Sequence, residues 1–315
     1  MFRTVRSART TALTALCCAA VFPGLVGCGV FSEVGSELGS AADEVQSELE
    51  DAAREVLTEG QLFTGTKTLD VDGASVHVSC SGTPSDGRPV VVLMAGMGDG
   101  LDTLEGLQET LAEDERVCSY DRLGEGESDQ PEGRQSIDDA GRTLTVVLED
   151  VAGDGPVVLV GHSLGGLIAA RYAPDHQDRV SGLVLLDATS PTMIDDISDV
   201  IPESATGEGA EVRAQNMAIF EGENPEAIVI DSDPEVRSAG EVPVEVVQHG
   251  VPYLGEIAEY GDDLERVWSE GQEKWLALSD RSRLSTAEGS GHYIHVDEPD
   301  VAVDAVRRVV DEAAA

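Results

Sequence analysis

The chain has 315 residues and a formal net charge of -41 at pH 7, with 61 acidic against 20 basic residues. Such a charge repels nucleic acid and anionic lipid headgroups, so we expect no nucleic-acid partner. The histidines show no metal-ligand spacing with cysteines or acids, and no glycine-rich phosphate-binding pattern is present, so we expect neither a metal nor another cofactor.

The first residues, 1–27, predict a lipoprotein signal peptide. Three arginines precede an apolar stretch, residues 12–26, that is shorter than a membrane span. The stretch ends Leu25-Val26-Gly27-Cys28, which resembles a bacterial lipobox, where a small residue precedes a lipidated Cys. We therefore expect Cys28 to carry lipid and to hold the protein at the extracytoplasmic face of the cell membrane.

Residues 28–61 predict an acidic amphipathic stalk. Apolar residues recur there close to the period of a straight helix, with Glu and Ser filling the other positions. The apolar residues are Val34, Leu38, Ala41, Val45, Leu49, Ala52 and Val56. A solvated spacer is the first interpretation, and a helix packed on the domain or the membrane surface is the second. The folded domain is then expected over residues 62–315.

Residues 62–315 alternate strand-like and helical segments after two leading strands, which predicts a mostly parallel eight-stranded sheet flanked by helices. The strand-like runs are 64–71, 76–80, 90–93, 116–120, 157–160, 183–186, 244–248 and 283–287. The helical patterns are 102–113, 136–151, 164–174, 263–279 and 300–312. Ser136 to Asp139 predict a capping box at the start of the second helix. Residues 188–241 break the alternation and mix apolar with acidic residues.

The segment Gly161-His162-Ser163-Leu164-Gly165 fits the pattern G-x-S-x-G, which is typical of a catalytic serine. It lies between a buried strand-like run and a helical pattern, which is the context that a G-x-S-x-G nucleophile turn requires. It predicts Ser163 as the nucleophile and aims the backbone N–H of Leu164 at a developing oxyanion. An ordinary strand-to-helix turn with a capping Ser is the alternative.

Two other segments can supply the partners that a serine nucleophile needs. His292, flanked by Gly291, follows the last strand-like run and suits the role of general base. The third strand-like run leads into the glycine turn Met94-Ala95-Gly96-Met97-Gly98-Asp99, and we expect the Met97 N–H to be the second oxyanion donor.

These segments together resemble the α/β-hydrolase superfamily, in its serine esterase and lipase-like branch. The resemblance covers roughly residues 62–312. It rests on Ala95-Gly96-Met97-Gly98, the run from Tyr120 to Ser128, the turn at Ser163, Leu185-Leu186-Asp187 and Gly291-His292. Where the family often has a His that braces the loop, this chain has Ala95. The resemblance implies the α/β-hydrolase fold with a helical lid, residues 188–241, between the sixth and seventh strands.

The resemblance also implies an acid between Ser163 and His292 in the chain, and we expect it at Asp187. Most family members carry this acid after the seventh strand, but residues 248–256 offer no Asp near that strand end. Asp187 stands directly after the sixth strand, the position that some lipases use. The remaining candidates for the acid are Glu256, Glu259, Asp262 and Asp263.

Two of the five cysteines, Cys80 and Cys118, belong to the folded domain. Cys17 and Cys18 leave with the signal peptide, and Cys28 takes lipid. An even pair outside the cytoplasm favours a disulfide, and the superfamily's sheet order places their two strands side by side. Two buried thiols are the alternative.

The resemblance and the leader predict a membrane-anchored, extracytoplasmic serine hydrolase that cleaves small to medium acyl esters through an acyl-enzyme. Its expected partners are a small-molecule ester and, through the lipid, the membrane. An aminopeptidase or amidase with the same triad is one alternative. A hydrolase-like lipoprotein that binds without turnover is another.

Overall fold

Eight strands form the central sheet, and their order in space is β1-β2-β4-β3-β5-β6-β7-β8. They are β1 (Gly65–Val71), β2 (Ala74–Ser81), β3 (Val90–Met94), β4 (Val117–Tyr120), β5 (Val157–His162), β6 (Val180–Leu186), β7 (Val244–His249) and β8 (Ser282–Ala287). Strand β2 pairs antiparallel with β1 and with β4, and the other neighbours pair in parallel. The mostly parallel eight-stranded sheet is therefore confirmed.

The computed structural model describes residues 62–257 and 259–315. The predicted signal peptide, the lipidation site Cys28 and the stalk lie outside the described residues, as does the side chain of Glu256. Leu62–Ala315 form one unit. Across the described ranges, no helix has the length and apolarity needed to cross a membrane.

Helices cover both faces of the sheet. They are α1 (Glu105–Leu111), α2 (Ile137–Ala152), α3 (Leu164–Tyr172), α4 (Met193–Val200), α5 (Glu208–Phe220), α6 (Gly261–Lys274), α7 (Ile294–Asp297) and α8 (Pro299–Ala313). Helix α2 begins at the predicted capping box: the Ser136 side chain accepts from the Asp139 N–H, and the Asp139 carboxylate accepts from the Ser136 N–H.

Alternate residues of each central strand point to opposite faces, so the sheet separates two apolar cores. Val91 and Leu93 of β3 pack with α1 and α8 in one core, whereas Val92 and Met94 pack with α2 and α3 in the other. Because both faces of the parallel strands are covered, β3 and β5 are buried along their whole length.

The inserted segment 188–241 carries α4 and α5, so the predicted lid is helical. Its apolar residues Met193, Ile197 and Phe220 join the core that contains α2 and α3. A two-residue strand, Ile228–Val229, pairs in parallel with Gln135–Ser136. The sequence alone gives no bounds for these short elements, because their hydrophobic patterns are interrupted by acidic residues.

Cys80 and Cys118 form a disulfide, the pairing expected from the sequence. The two residues are directly opposite each other in the antiparallel β2–β4 pair, with their Cα atoms 4.1 Å apart. The bond therefore joins the antiparallel edge of the sheet to its parallel centre.

Candidate active site

Ser163 occupies the turn between β5 and α3 in a conformation that non-glycine residues rarely adopt, with φ 50° and ψ -117°. A Cβ on Gly161 would lie 2.4 Å from the backbone of Gly165, and one on Gly165 would lie 2.4 Å from the Met94 carbonyl oxygen. Only glycine at these two positions lets the turn close this tightly. Leu164 is the first residue of α3, so its N–H has no acceptor within the helix, and the residue lines the cavity described below.

Asp187 follows β6 and is fully buried, and its Oδ2 lies 2.7 Å from Nδ1 of His292. This is the contact expected for an orienting acid. Burial by itself raises a carboxyl pKa, but the hydrogen bonds from His249 and His292 outweigh it and lower the pKa of Asp187 to about 2. The carboxylate is therefore ionised at neutral pH and can hold the His292 ring through Nδ1, which leaves Nε2 free.

The alternative acids lie elsewhere. Glu259, Asp262 and Asp263 are exposed at or just before the start of α6, and Asp263 pairs with Arg266 at 3.1 Å. Among the described residues, no carboxylate of this group contacts His292. The side chain of Glu256 is not described.

His249, which the sequence did not assign to the site, lies beside Asp187. Its Nδ1 is 2.9 Å from Asp187 Oδ1, and its Nε2 is 2.8 Å from Glu265 Oε2. Burial lowers the pKa of a histidine, but the hydrogen bonds that the ring donates to these two carboxylates raise the pKa of His249 above its usual value. One sequence signal could have found it: His249 ends β7 as Asp187 follows β6, and the ends of neighbouring parallel strands lie together.

Arg122 braces the loop that carries the second expected oxyanion donor. Its Nη1 donates to the Ala95 carbonyl and its Nη2 to the Gly96 carbonyl, each at 2.8 Å. The Gly96 carbonyl and the Met97 N–H belong to one planar trans peptide and point in opposite directions. A guanidinium fixed on Gly96 O therefore orients the Met97 N–H, and it supplies the brace that Ala95 cannot.

Two buried glutamates balance the charge of Arg122. Glu125 forms an ion pair with it, and Glu226 Oε1 lies 3.2 Å from it while also accepting the Gly98 N–H at 2.8 Å. Burial raises the pKa of Glu125 to about 10, against the pull of Arg122, whereas the hydrogen bond from Glu125 lowers the pKa of Glu226 despite its burial. Because Glu226 belongs to the lid, the lid is tied to the oxyanion loop.

Two more histidines, His162 and His295, lie near His292. His162 Nε2 lies 3.0 Å from the His292 carbonyl oxygen, and burial lowers the pKa of His162 well below its usual value. His295 is also buried, and its pKa falls to about 4. Both rings are therefore neutral at pH 7 and support the His292 loop through packing, with ring centroids 4.5 Å apart for His162 and His292.

A cavity of about 290 Å³ brings the expected residues together, because Met97, Ser163, Leu164 and His292 all line it. Its walls are mainly apolar side chains of the lid and α6, including Met193, Ile197, Val212, Ile219, Phe220 and Trp268. None of its described lining residues is Asp, Glu, Lys or Arg. A second depression, of about 330 Å³ between α2 and residues 231–237, contains charged side chains and none of the site residues.

Comparison with known proteins agrees with this architecture. Residues 89–215 match a family model described as the alpha/beta hydrolase fold. An uncharacterised Bacillus subtilis protein, YqjL, is 27% identical over 238 residues, which cover 75% of this chain and 88% of that protein. Lipase LipV of Mycobacterium tuberculosis is 44% identical over 71 residues, but the match spans only 22% of this chain and 26% of the lipase.

Solved structures share the fold over a larger part of the chain. A serine hydrolase of carbazole degradation, the CarC enzyme, superposes with a TM-score of 0.56 at 21% identity, covering 78% of this chain and 98% of that one. At this identity the likeness shows the fold alone. The chain therefore has the α/β-hydrolase fold, and its residues 89–215 match the family model of that fold.

Proposed function

We propose that the protein is a serine hydrolase that cleaves carboxylic esters with an apolar acyl group through an acyl-enzyme. The observation that carries this proposal is the contact between Asp187 and His292 at the same apolar cavity as Ser163 on its positive-φ turn. A nucleophile, a base and an oriented acid at one cavity are the parts that acyl transfer requires.

In this mechanism the Ser163 hydroxyl attacks the ester carbonyl while His292 Nε2 takes its proton. Asp187 holds the ring by Nδ1 and stabilises the imidazolium. The N–H groups of Met97 and Leu164 stabilise the tetrahedral oxyanion, each by about 3 kcal/mol of barrier. His292 then protonates the leaving alcohol, and water repeats the two steps on the acyl-enzyme.

The cavity supports an ester with an uncharged acyl chain. An aminopeptidase would need carboxylates to hold the amine of its substrate, and the described lining residues provide none. Burial of an acyl chain against the apolar lid side chains gains about 0.8 kcal/mol per methylene, which corresponds to about fourfold in kcat/KM. A series of p-nitrophenyl esters should therefore show kcat/KM rising from acetate until the cavity is filled.

The test combines a fluorophosphonate probe with this ester series. The wild type should be labelled, and Ser163→Ala should lose the label and at least about 10⁴ in kcat while it stays folded by circular dichroism. Ser85→Ala, which changes an exposed serine, is the matched control and should behave as wild type. Ester turnover in Ser163→Ala close to that of wild type would refute the mechanism. No labelling of wild type would favour a binding lipoprotein.

We further propose that the enzyme is anchored to the extracytoplasmic face of the membrane through lipid on Cys28. The support is the sequence Leu25-Val26-Gly27-Cys28 behind a basic and apolar leader. Mass spectrometry of the membrane fraction should find a diacylglyceryl group on an N-terminal Cys28. The Cys28→Ser variant should be absent from the membrane fraction. Its recovery in that fraction in wild-type amounts would argue against the lipid anchor.

A further inference from the structure

Both ring nitrogens of His249 face carboxylates. Nδ1 lies 2.9 Å and 3.0 Å from the two oxygens of Asp187, and Nε2 lies 2.8 Å from Glu265. Only 6% of the His249 side chain is exposed, so water cannot easily replace either partner. Ionised carboxylates only accept hydrogen bonds, and a neutral imidazole has a single N–H to donate. Satisfying both contacts requires a proton on each nitrogen.

Glu265, the outer of the two carboxylates, also accepts hydrogen bonds from the backbone. Glu265 Oε1 accepts the N–H groups of Leu254 at 2.5 Å and Gly255 at 3.0 Å, while Oε2 takes the His249 ring. His249 is therefore held between two carboxylates that come from separate elements, the end of β6 and α6.

We propose that His249 is a permanent imidazolium that positions Asp187 and disfavours a second imidazolium at His292. The inference rests on the proposed roles of Asp187 and His292. Asp187 is shared between the two rings: His249 Nδ1 donates to it from one side, and His292 Nδ1 lies 2.7 Å from Oδ2 on the other. His249 is thus a positioning residue that acts through the acid.

The other groups around His249 add no competing charge. The Tyr253 ring lies 4.8 Å from it, and burial raises the pKa of that phenol, so it is neutral at pH 7. Trp268 of α6 donates its indole N–H to Asp187 Oδ1 at 2.9 Å, and the His249 backbone N–H donates to the same oxygen at 3.2 Å. Asp187 and Glu265 are the charged groups that contact the His249 ring among the described residues.

The positive charge of His249 beside Asp187 affects the pH dependence of catalysis. The acidic limb of the kcat/KM profile reports protonation of the free enzyme's essential base. Because two imidazolium ions on one carboxylate repel each other, removal of the His249 charge should move this limb to higher pH.

The first experiment needs no activity. Ring ¹⁵N NMR of the whole protein follows its six histidines from pH 5 to 9, and the resonances absent from His249→Asn identify His249. We expect both ring nitrogens of His249 to stay protonated at pH 7. A neutral His249 ring at pH 7 overturns the proposal, whether or not the protein hydrolyses esters.

The second experiment separates charge from hydrogen bonding. Asn at position 249 can keep a donor to Asp187 but carries no charge, so His249→Asn should move the acidic limb up by about one pH unit. Its rate on the high-pH plateau should fall less than that of His249→Ala. His249→Ala, which removes the donor as well, should also lower the plateau. If the acidic limb of the kcat/KM profile lies at the same pH in His249→Asn as in wild type, the proposal is overturned. A residue that serves only packing would change rates without moving the limb.

Matched variants guard against loss of folding. His176→Asn changes a histidine that stacks on Tyr172 at the end of α3, and it should leave the pH profile of kcat/KM unchanged.

If His249→Asn does not fold, Glu265→Gln serves instead: with one carboxylate removed, the His249 ring should titrate within the pH 5 to 9 window. If the His249 ring of Glu265→Gln stays protonated from pH 5 to 9, Glu265 is not needed to keep the charge on His249, which contradicts the proposal. Absence of labelling by fluorophosphonate in wild type would instead refute the proposed function and leave the NMR result standing.

Discussion

Asp187 receives four hydrogen bonds from protein donors although its side chain is fully buried: from Nδ1 and the backbone N–H of His249, the Trp268 indole and His292. Removing its charge should therefore affect catalysis more than binding. Asn at this position still accepts a hydrogen bond, but it allows the wrong His292 tautomer and cannot stabilise an imidazolium.

For Asp187→Asn we expect kcat to fall by about 10⁴ with little change in KM, as for the same change in a serine protease. Steady-state kinetics on the preferred ester gives both constants. Asp262→Asn, an exposed carboxylate among the alternative acids, should be unaffected. Loss of activity in Asp262→Asn but not in Asp187→Asn would show that Asp262, rather than Asp187, is the orienting acid.

The same carboxylate should contribute to acid stability. The pKa of Asp187 is about 2 in the folded protein, below the value near 3.9 that an unfolded Asp has. A lowered folded pKa stabilises the protein above the unfolded pKa, and that contribution is lost as pH falls through the folded one. The contribution is about 2 to 3 kcal/mol, and it should fade between roughly pH 4 and pH 2.

Urea unfolding of wild type and Asp187→Asn over this pH range measures the contribution, because the other carboxylates cancel in the difference. The stability difference between the two proteins should shrink by about 2 kcal/mol as the solution is acidified from pH 5 to pH 2. A difference that is constant with pH would mean that Asp187 is not held as a low-pKa carboxylate.

At the scale of elements, the oxyanion loop depends on residues far from it in sequence. Arg122, after β4, holds the carbonyls of Ala95 and Gly96, and Glu226 of the lid holds the Gly98 N–H. Lid and loop therefore form one connected unit beneath the cavity. A lid rearrangement that moved Glu226 would release the Gly98 N–H and weaken the brace on Met97.

Arg122→Lys tests this brace, because an ammonium keeps the charge but cannot reproduce the guanidinium fork that spans two carbonyls. Removing one oxyanion donor costs about 10² to 10³ in kcat, so misorienting the Met97 N–H should lower kcat by about tenfold or more with KM little changed. Arg142→Lys, on the exposed face of α2, is the matched control. Unchanged kcat in folded Arg122→Lys would show that Met97 does not depend on Arg122.

At the scale of the whole molecule, the Cys80–Cys118 disulfide constrains the unfolded chain by closing a loop of 38 residues. The chain-entropy estimate for such a loop is about 4 kcal/mol, which is an upper figure. The double variant Cys80→Ala, Cys118→Ala should lose up to this amount in urea unfolding, and wild type should lose a similar amount when reduced. Equal stability of the oxidised and reduced wild type would contradict a structural role for the bond.

Charge also acts at this scale. All 61 acidic residues lie after residue 27, and the first 27 residues contain three arginines. The surface keeps the protein soluble and repels anionic headgroups. An anchor on the membrane would therefore depend on lipid rather than on attraction between charges.

The sequence by itself determined the features that depend on local order along the chain. Alternating apolar runs and helical patterns predicted the eight strands and five of the helices, because hydrophobic periodicity is read within each element. The glycines around Ser163 predicted the turn, since only glycine tolerates that backbone crowding. Asp187, His292 and Met97 could be named because they end or follow strands.

The tertiary structure alone decided which side chains meet across elements. The packing of α6 onto the end of β7 brings Glu265 to His249, and the lid brings Glu226 to Arg122. These partners are 16 and 104 residues apart in the chain. No local pattern marks them, because a buried ion pair is stable only where two independently placed elements deliver both charges to the same site. Glu226 therefore became visible as part of the site only in the folded chain.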